Sequence, residues 1–397
     1  MTNQEIIESS LRYVANTYAR FPIAIVRGLG TRVWDADGRQ YLDFVAGLAV
    51  TNLGHCHPRV VSAIKGQAEK LIHISNLYHI GPQAEFAKLL CENSFADRVF
   101  FCNSGAEANE AAIKLARKYF SLKGERRSEI ITMEKSFHGR TLGTLAATAQ
   151  KKVQEGFEPL LERFTYVPFG DIGALKKAIT EKTAAILIEP IQGEGGVNIA
   201  PEGYLFELKA FCKEKGILLI FDEVQVGMGR TGRLFSHEHY NVAPDIMTLA
   251  KGLAGGVAIG AMLATEEIGS AFTPGAHAST FGGNPLATAA GIAVIQTTLE
   301  DGILENTMKV GAYLLDELKA LKEGYPFIKD VRGIGLIIGM ELTIPGADIV
   351  KMCMDEGLLI NCTAEKVLRF LPALIVKEAE VKEMLAILEK VFDKVVA

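Results

Sequence analysis

The chain has 397 residues, 49% of them hydrophobic, with 42 Lys and Arg against 47 Asp and Glu for a formal charge of −5. That is more than one ordinary core accommodates, so two large folding units, or one large and one small, are expected. The charge balance argues against a polyanion-binding protein but leaves local anion sites open. Six scattered cysteines with no CxxC pair read as small hydrophobes in a reducing compartment rather than as a disulfide frame. The opening MTNQEIIESS has acidic residues and no apolar signal core, so a soluble, cytoplasmic protein is expected.

In chain order, residues 1–20 are weakly helical. Strand patterns at 23–28 and 31–35, with Asp37-Gly38 turning into 41–44, form a small antiparallel meander. Gly54-His55-Cys56-His57-Pro58 invites a zinc reading, but no second ligand cluster lies nearby. A turn ahead of a helix at 59–72 is the better account, and no metal is expected. From about residue 80 the chain alternates helices (82–92, 107–120, 172–179, 203–214) with short apolar strands (98–102, 129–133, 164–167, 184–189, 217–221). Strands separated by helices argue for an α/β architecture with a largely parallel sheet. The runs AAILIE and GILLIF are apolar throughout and predict central strands covered on both faces.

The stretch 246–264, IMTLAKGLAGGVAIGAMLA, holds Lys251 as its only ionisable group. Its four glycines favour a buried strand–turn–strand over a membrane span. Helices at 283–299 and 306–322 follow. A change of character then gives strands at 328–331, 336–341, 358–360 and 367–370, a helix at 346–355 and a closing helix from 379. The expected division is an N-terminal segment 1–55 joining the small unit, a large unit 56–300 and a small α+β unit 301–397.

Three features carry chemistry. A buried ammonium is costly unless paired or reactive, and burial lowers its pKa, which suits an amine that attacks a carbonyl; a snorkelling or salt-bridged structural lysine is the bland alternative for Lys251. Ser104-Gly105-Ala106 follows a strand and opens a helix, so free backbone N–H groups and the positive dipole end face any bound anion. Asp222 ends the strand GILLIF, in the usual ligand crevice of an open α/β sheet. It could cap a helix, pair with an arginine, ligate Mg²⁺ with Glu189, or hold a protonated ring nitrogen. Together these are the parts needed to hold pyridoxal phosphate, with Phe137 placed to lie against the ring. No GxGxxG or GxxxxGK[ST] order is present, which weakens a dinucleotide-dependent oxidoreductase. A non-catalytic binding protein is the remaining alternative.

The sequence also resembles the class III (acetylornithine/ornithine type) aminotransferases of the fold-type I pyridoxal-phosphate superfamily. The likeness runs through FCNSGAEANE (101–110), SFHGRT (136–141), EPIQGEGG (189–196), FDEVQVGMGRTG (221–232), LAKG (249–252), HASTFGGNPLA (277–287), VRGIGLIIG (331–339) and LRFLPAL (368–374). The resemblance implies pyridoxal phosphate as cofactor, Lys251 as the Schiff-base lysine, Asp222 as the partner of the pyridine nitrogen and Gln225 near the phenolic oxygen. It also implies that Ser104, Gly105 and Ala106 bind the phosphate, that Phe137 stacks on the ring, and that Thr280 reaches the phosphate from the other subunit of a homodimer. Ser279 then lies near the substrate, Arg140 and Arg369 take carboxylates, and Glu194 is a switch that pairs with Arg369. The implied reaction moves the terminal amine of N2-acetylornithine to 2-oxoglutarate in arginine biosynthesis. Ornithine, succinylornithine, N-succinyldiaminopimelate and 4-aminobutyrate are alternative donors. Val226, Met228 and Ala373 depart from the family pattern, and Val226 removes a hydroxyl near the cofactor turn.

Overall fold

The computed structural model describes residues 1–396. Its centre is a seven-stranded sheet in the spatial order Arg98–Cys102, Gly260–Ala264, Ile246–Leu249, Leu218–Asp222, Thr183–Ile188, Glu129–Met133, Phe164–Val167. Gly260–Ala264 runs antiparallel to both neighbours, and the remaining pairs are parallel. Every residue of Thr183–Ile188 and Leu218–Asp222 is buried, as two-sided cover requires. Alternation sorts their side chains. Leu187 and Ile220 pack with Ala111 and Leu115 of the helix Gly105–Leu122. Ile186, Ile188, Leu219 and Phe221 pack on the other face with Leu205, Leu208 and Cys212 of the helix Tyr204–Lys215.

Two further sheets flank this centre. Ile25–Leu29, Arg32–Asp35 and Gln40–Asp43 form the expected meander, extended by Leu358–Leu359, which pairs in parallel with Gln40–Asp43. Ile328–Ile334, Ile337–Leu342, Val367–Phe370 and Asn361–Thr363 form an antiparallel sheet. The strand Asn361–Thr363 and the hairpin Ile191–Gln192/Asn198–Ile199 have no counterpart in the sequence reading, being too short to carry a period. The helices expected at 107–120 and 306–322 run longer, Gly105–Leu122 and Ile303–Gly324. The first begins early because Ser104 Oγ caps it, accepting from Glu107 N–H at 3.2 Å, while Glu107 Oε2 accepts from Asn103 N–H at 2.6 Å. Residues 3–13 form a capped helix that buries no side chain, in keeping with its weak apolar face.

His55 Nε2 contacts Asp43 Oδ2 at 2.7 Å, and Cys56 is exposed. Among the described residues no group of three or more His, Cys, Asp or Glu could hold a metal ion, and no helix is long and apolar enough to cross a membrane.

Candidate active site

The parallel strands deliver their carboxyl ends to one edge of the central sheet. Asp222 is the last residue of its strand and Glu189 immediately follows Thr183–Ile188. Lys251 opens the turn after Ile246–Leu249, and Ser104 lies just beyond Arg98–Cys102. A cavity of about 380 Å³ opens here. Ser104, Gly105 and Ala106 form one wall and Phe137 and Arg140 another, and Asp222, Gln225, Glu194 and Lys251 are among the other residues that line it.

Asp222 is buried and held by three donors. Val224 N–H donates to Oδ1 at 3.0 Å, while Asn109 Nδ2 donates to Oδ2 at 2.7 Å and His138 Nδ1 lies 2.8 Å from the same oxygen. Thr248, its register neighbour on the adjacent strand, donates to Asn109 Oδ1 at 2.7 Å and so orients that amide. The carboxylate is thus fixed in direction without an arginine or lysine partner among the described residues.

Lys251 occupies a left-handed backbone conformation, φ +44°, between the strand and the glycine-rich turn. Burial lowers its ammonium below the ordinary lysine range, the nearby charge of Arg369 adds to that, and the carboxylates of Glu194, Asp222 and Glu189 oppose it. More of the amine is therefore neutral near pH 7 than for a solvated lysine. Gly252 is required beside it, because a Cβ there would stand 2.3 Å from Asn52 Nδ2.

Arg369 is fully buried on the strand Val367–Phe370. Its Nη1 donates to Glu194 Oε1 at 2.7 Å and to Gln225 Oε1 at 3.1 Å, and Nε donates to Asn361 Oδ1 at 3.3 Å. Burial pushes the Glu194 carboxyl up, but the charges of Arg369 and Lys251 outweigh it and hold Glu194 below its ordinary value. Arg369 stands behind the cavity wall, reached through Glu194 and Gln225.

Arg140 is exposed, with its guanidinium carbon 5.5 Å from the centroid of the Phe137 ring. Phe137 N–H donates to Glu189 Oε2 at 3.0 Å. Burial pushes the Glu189 carboxyl up to about 7, with Asp222 reinforcing the shift and His138 opposing it. Ser279 and Thr280 lie outside this cavity and line a second one of about 710 Å³. Ser279 Oγ accepts from Asn103 Nδ2 at 3.2 Å, one hydrogen bond from the cavity wall, while Thr280 is exposed. Val226 also lies elsewhere, packed with Ala49, Ile191, Val197, Ile337 and Leu371, so its missing hydroxyl does not face the cavity.

Residues 13–392 match the family Aminotransferase class-III. The chain belongs to the class-III aminotransferases. Acetylornithine aminotransferase of Methanocaldococcus jannaschii is 54% identical over 399 residues, covering 100% of both chains. The crystal structure of ornithine aminotransferase from Toxoplasma gondii superposes with a TM-score of 0.96 at 35% identity, over 100% of this chain and 96% of that one. Acetylornithine aminotransferase from Elizabethkingia anophelis superposes with a TM-score of 0.89 at 33% identity, over 99% and 100%.

As a class-III aminotransferase the chain is a pyridoxal-phosphate-dependent transaminase. The cavity fits that cofactor on three observations. A Cβ on Gly105 would come within 2.7 Å of Val224 Cγ1, so the helix start approaches the Asp222 turn as closely as backbone allows. Asp222 presents an anchored carboxylate, and Lys251 an amine whose pKa burial lowers, on the same cavity. Sequence reasoning passed over His138 and Asn109 as functional residues and considered Glu189 only as a metal ligand. His138 lies inside a motif already singled out, SFHGRT, and Glu189 shares with Asp222 the signature of a carboxylate closing an apolar strand.

Proposed function

We propose that this enzyme transfers the δ-amine of N2-acetylornithine to 2-oxoglutarate, giving N-acetylglutamate 5-semialdehyde and glutamate, in arginine biosynthesis. The observation that carries the reading is the ion pair, 2.7 Å long, between fully buried Arg369 and half-buried Glu194, which ties Arg369 to the wall of the cavity that Lys251 also lines. One pocket must accept a terminal amine in one half-reaction and an α-amino acid in the other. With the amine donor bound, Glu194 neutralises Arg369; with glutamate or 2-oxoglutarate, the carboxylate of Glu194 gives way and the guanidinium fork takes the substrate α-carboxylate. Arg140, at the exposed side, takes the carboxylate of acetylornithine. The names of the close relatives support acetylornithine as the donor. Free ornithine is the second reading, supported by the structural likeness to an ornithine aminotransferase.

Pyridoxal phosphate, when bound, supplies an electron-withdrawing ring that stabilises a carbanion. Lys251 Nζ is the amine that would hold it, and once released it would be the group placed to carry a proton at the substrate carbon bearing nitrogen. Asp222 would keep the ring nitrogen protonated, its carboxylate held in place by Asn109 and His138. Gln225 and Phe137, which line the same cavity, would contact its phenolic oxygen and its ring face. The amides of Ser104, Gly105 and Ala106 take the phosphate, joined by Thr280 of the partner subunit, with Ser279 near the substrate. The working form is thus a cytoplasmic homodimer, each chain comprising a large unit, 56–300, and a small unit built from 301–397 with the segment 1–55.

Visible absorption of the holoenzyme tests this directly. Acetylornithine, ornithine, succinylornithine, N-succinyldiaminopimelate, 4-aminobutyrate and glutamate are added singly, without an oxo acid. Fastest bleaching by acetylornithine, with bleaching by glutamate, is the expected result. A faster response to another amine reassigns the donor, and no spectral response to any of them overturns the assignment.

A further inference from the structure

Arg230 and Arg369 are both fully buried, but only Arg369 meets a carboxylate. Arg230 lies in the turn after Asp222 and Gln225, and its guanidinium bonds only to neutral oxygens. Nη1 donates to Leu336 O at 3.0 Å and Pro372 O at 2.5 Å, and Nη2 donates to Asn52 Oδ1 at 2.6 Å. Leu336 N–H donates in return to Arg230 O at 3.0 Å. Asn52 extends the connection: its Nδ2 donates to Met228 O at 3.0 Å, and its own carbonyl accepts from Leu374 N–H at 2.7 Å. The same Asn52 amide packs against Gly252, so closely that a Cβ on the glycine would be 2.3 Å from Nδ2.

One guanidinium therefore joins three separate parts of the chain, of which the Lys251 turn lines the cavity and the Arg369 strand backs its wall. Pro372 and Leu374 continue the strand that carries Arg369, Leu336 precedes the strand paired with it, and Asn52 abuts the turn that carries Lys251. Burial without a counter-charge pushes the Arg230 guanidinium down to about 9. An apolar side chain of similar volume would fill the space without that desolvation cost, so packing alone does not account for an arginine here.

We propose that Arg230 and Asn52 act as a positioning pair that fixes the Lys251 turn against the Arg369 strand and so sets the reach between the reacting amine and the carboxylate clamp. This rests on the reading of Arg369 as that clamp. Lysine cannot span the three acceptors from one planar fork, so Arg230→Lys loosens the junction while keeping the charge. Asn52→Ala removes the link to Lys251 and leaves Arg230 its two carbonyl acceptors.

The test uses holoenzyme of the native chain, Arg230→Lys and Asn52→Ala. Glutarate has the dicarboxylate and no amine, so its affinity, measured by calorimetry, reports the clamp without turnover. Since a misplacement of about 1 Å can cost on the order of 100-fold, glutarate affinity is expected to fall roughly tenfold or more in either variant. The KM for 2-oxoglutarate rises in parallel, while the KM for acetylornithine changes by less than about threefold, because that substrate leaves Arg369 paired with Glu194. Glutarate binding unchanged in both variants, or equal changes in both KM values, overturns the positioning role. Should Arg230→Lys fail to fold, Asn52→Ala decides alone. A native enzyme that does not bind glutarate overturns the clamp reading and this inference with it; native binding with unaffected variants overturns only the inference.

Discussion

Asp222 accepts from a backbone amide, an asparagine and a histidine, so its carboxylate direction is set before any ligand arrives. Asp222→Asn preserves volume and removes the charge. It is expected to slow the glutamate half-reaction by roughly 100-fold or more, read from the rate of bleaching at saturating glutamate; a near-native rate would refute the ring-nitrogen role. Glu189 supplies a second test at this scale. Its ordinary value of 4.5 is raised to about 7 in the fold, so between these values the folded chain keeps a proton that the unfolded chain releases. Its contribution to stability is therefore complete below the lower value and is lost as pH rises through the upper one. Glu189→Gln should flatten the pH dependence of the denaturation midpoint of the cofactor-free protein across that window. An unchanged slope would place the titration elsewhere.

The helix Gly105–Leu122 brings its first amides to the cavity because Ser104 caps it and Gly105 lets the turn at Val224 come close. Gly105→Ala puts a methyl into that contact, and overpacking of this kind costs about 1–3 kcal/mol. Pyridoxal phosphate should bind more weakly to Gly105→Ala and recover part of the loss in Gly105→Ala with Val224→Ala, as measured by equilibrium dialysis. No recovery in the double variant would mean that the steric contact is not the cause. Lys251 and Asp222 were legible from sequence for one physical reason: each is a charge set in or at the end of an apolar run, where burial forces a partner or a role. The three short strands Ile191–Gln192, Asn198–Ile199 and Asn361–Thr363 were not legible, because two or three residues carry no period. Asn109, His138 and Thr248 were not legible as a network, because their meeting depends on which strands lie side by side. Thr248 stands opposite Asp222 only through the register of the central sheet. Ser279 and Thr280 were assigned by resemblance alone, and in a single chain they face a different cavity.

At the scale of the whole molecule, that separation predicts complementation between subunits. If Thr280 serves the partner's site, a dimer mixing Lys251→Ala with a disabling Thr280 variant has one site with both defects and one with neither. Activity should reappear when the two inactive proteins are unfolded and refolded together; its failure to reappear would argue against shared sites. The same molecule carries Lys251 at φ +44°, a conformation costing an ordinary side chain about 1–2 kcal/mol and glycine almost nothing. Lys251→Gly should consequently melt higher than Lys251→Ala in the cofactor-free state, by the equivalent of about 1 kcal/mol, although neither turns over. Backbone economy alone would place a glycine at residue 251, so the lysine there is held against the local preference of its own backbone by the rest of the fold.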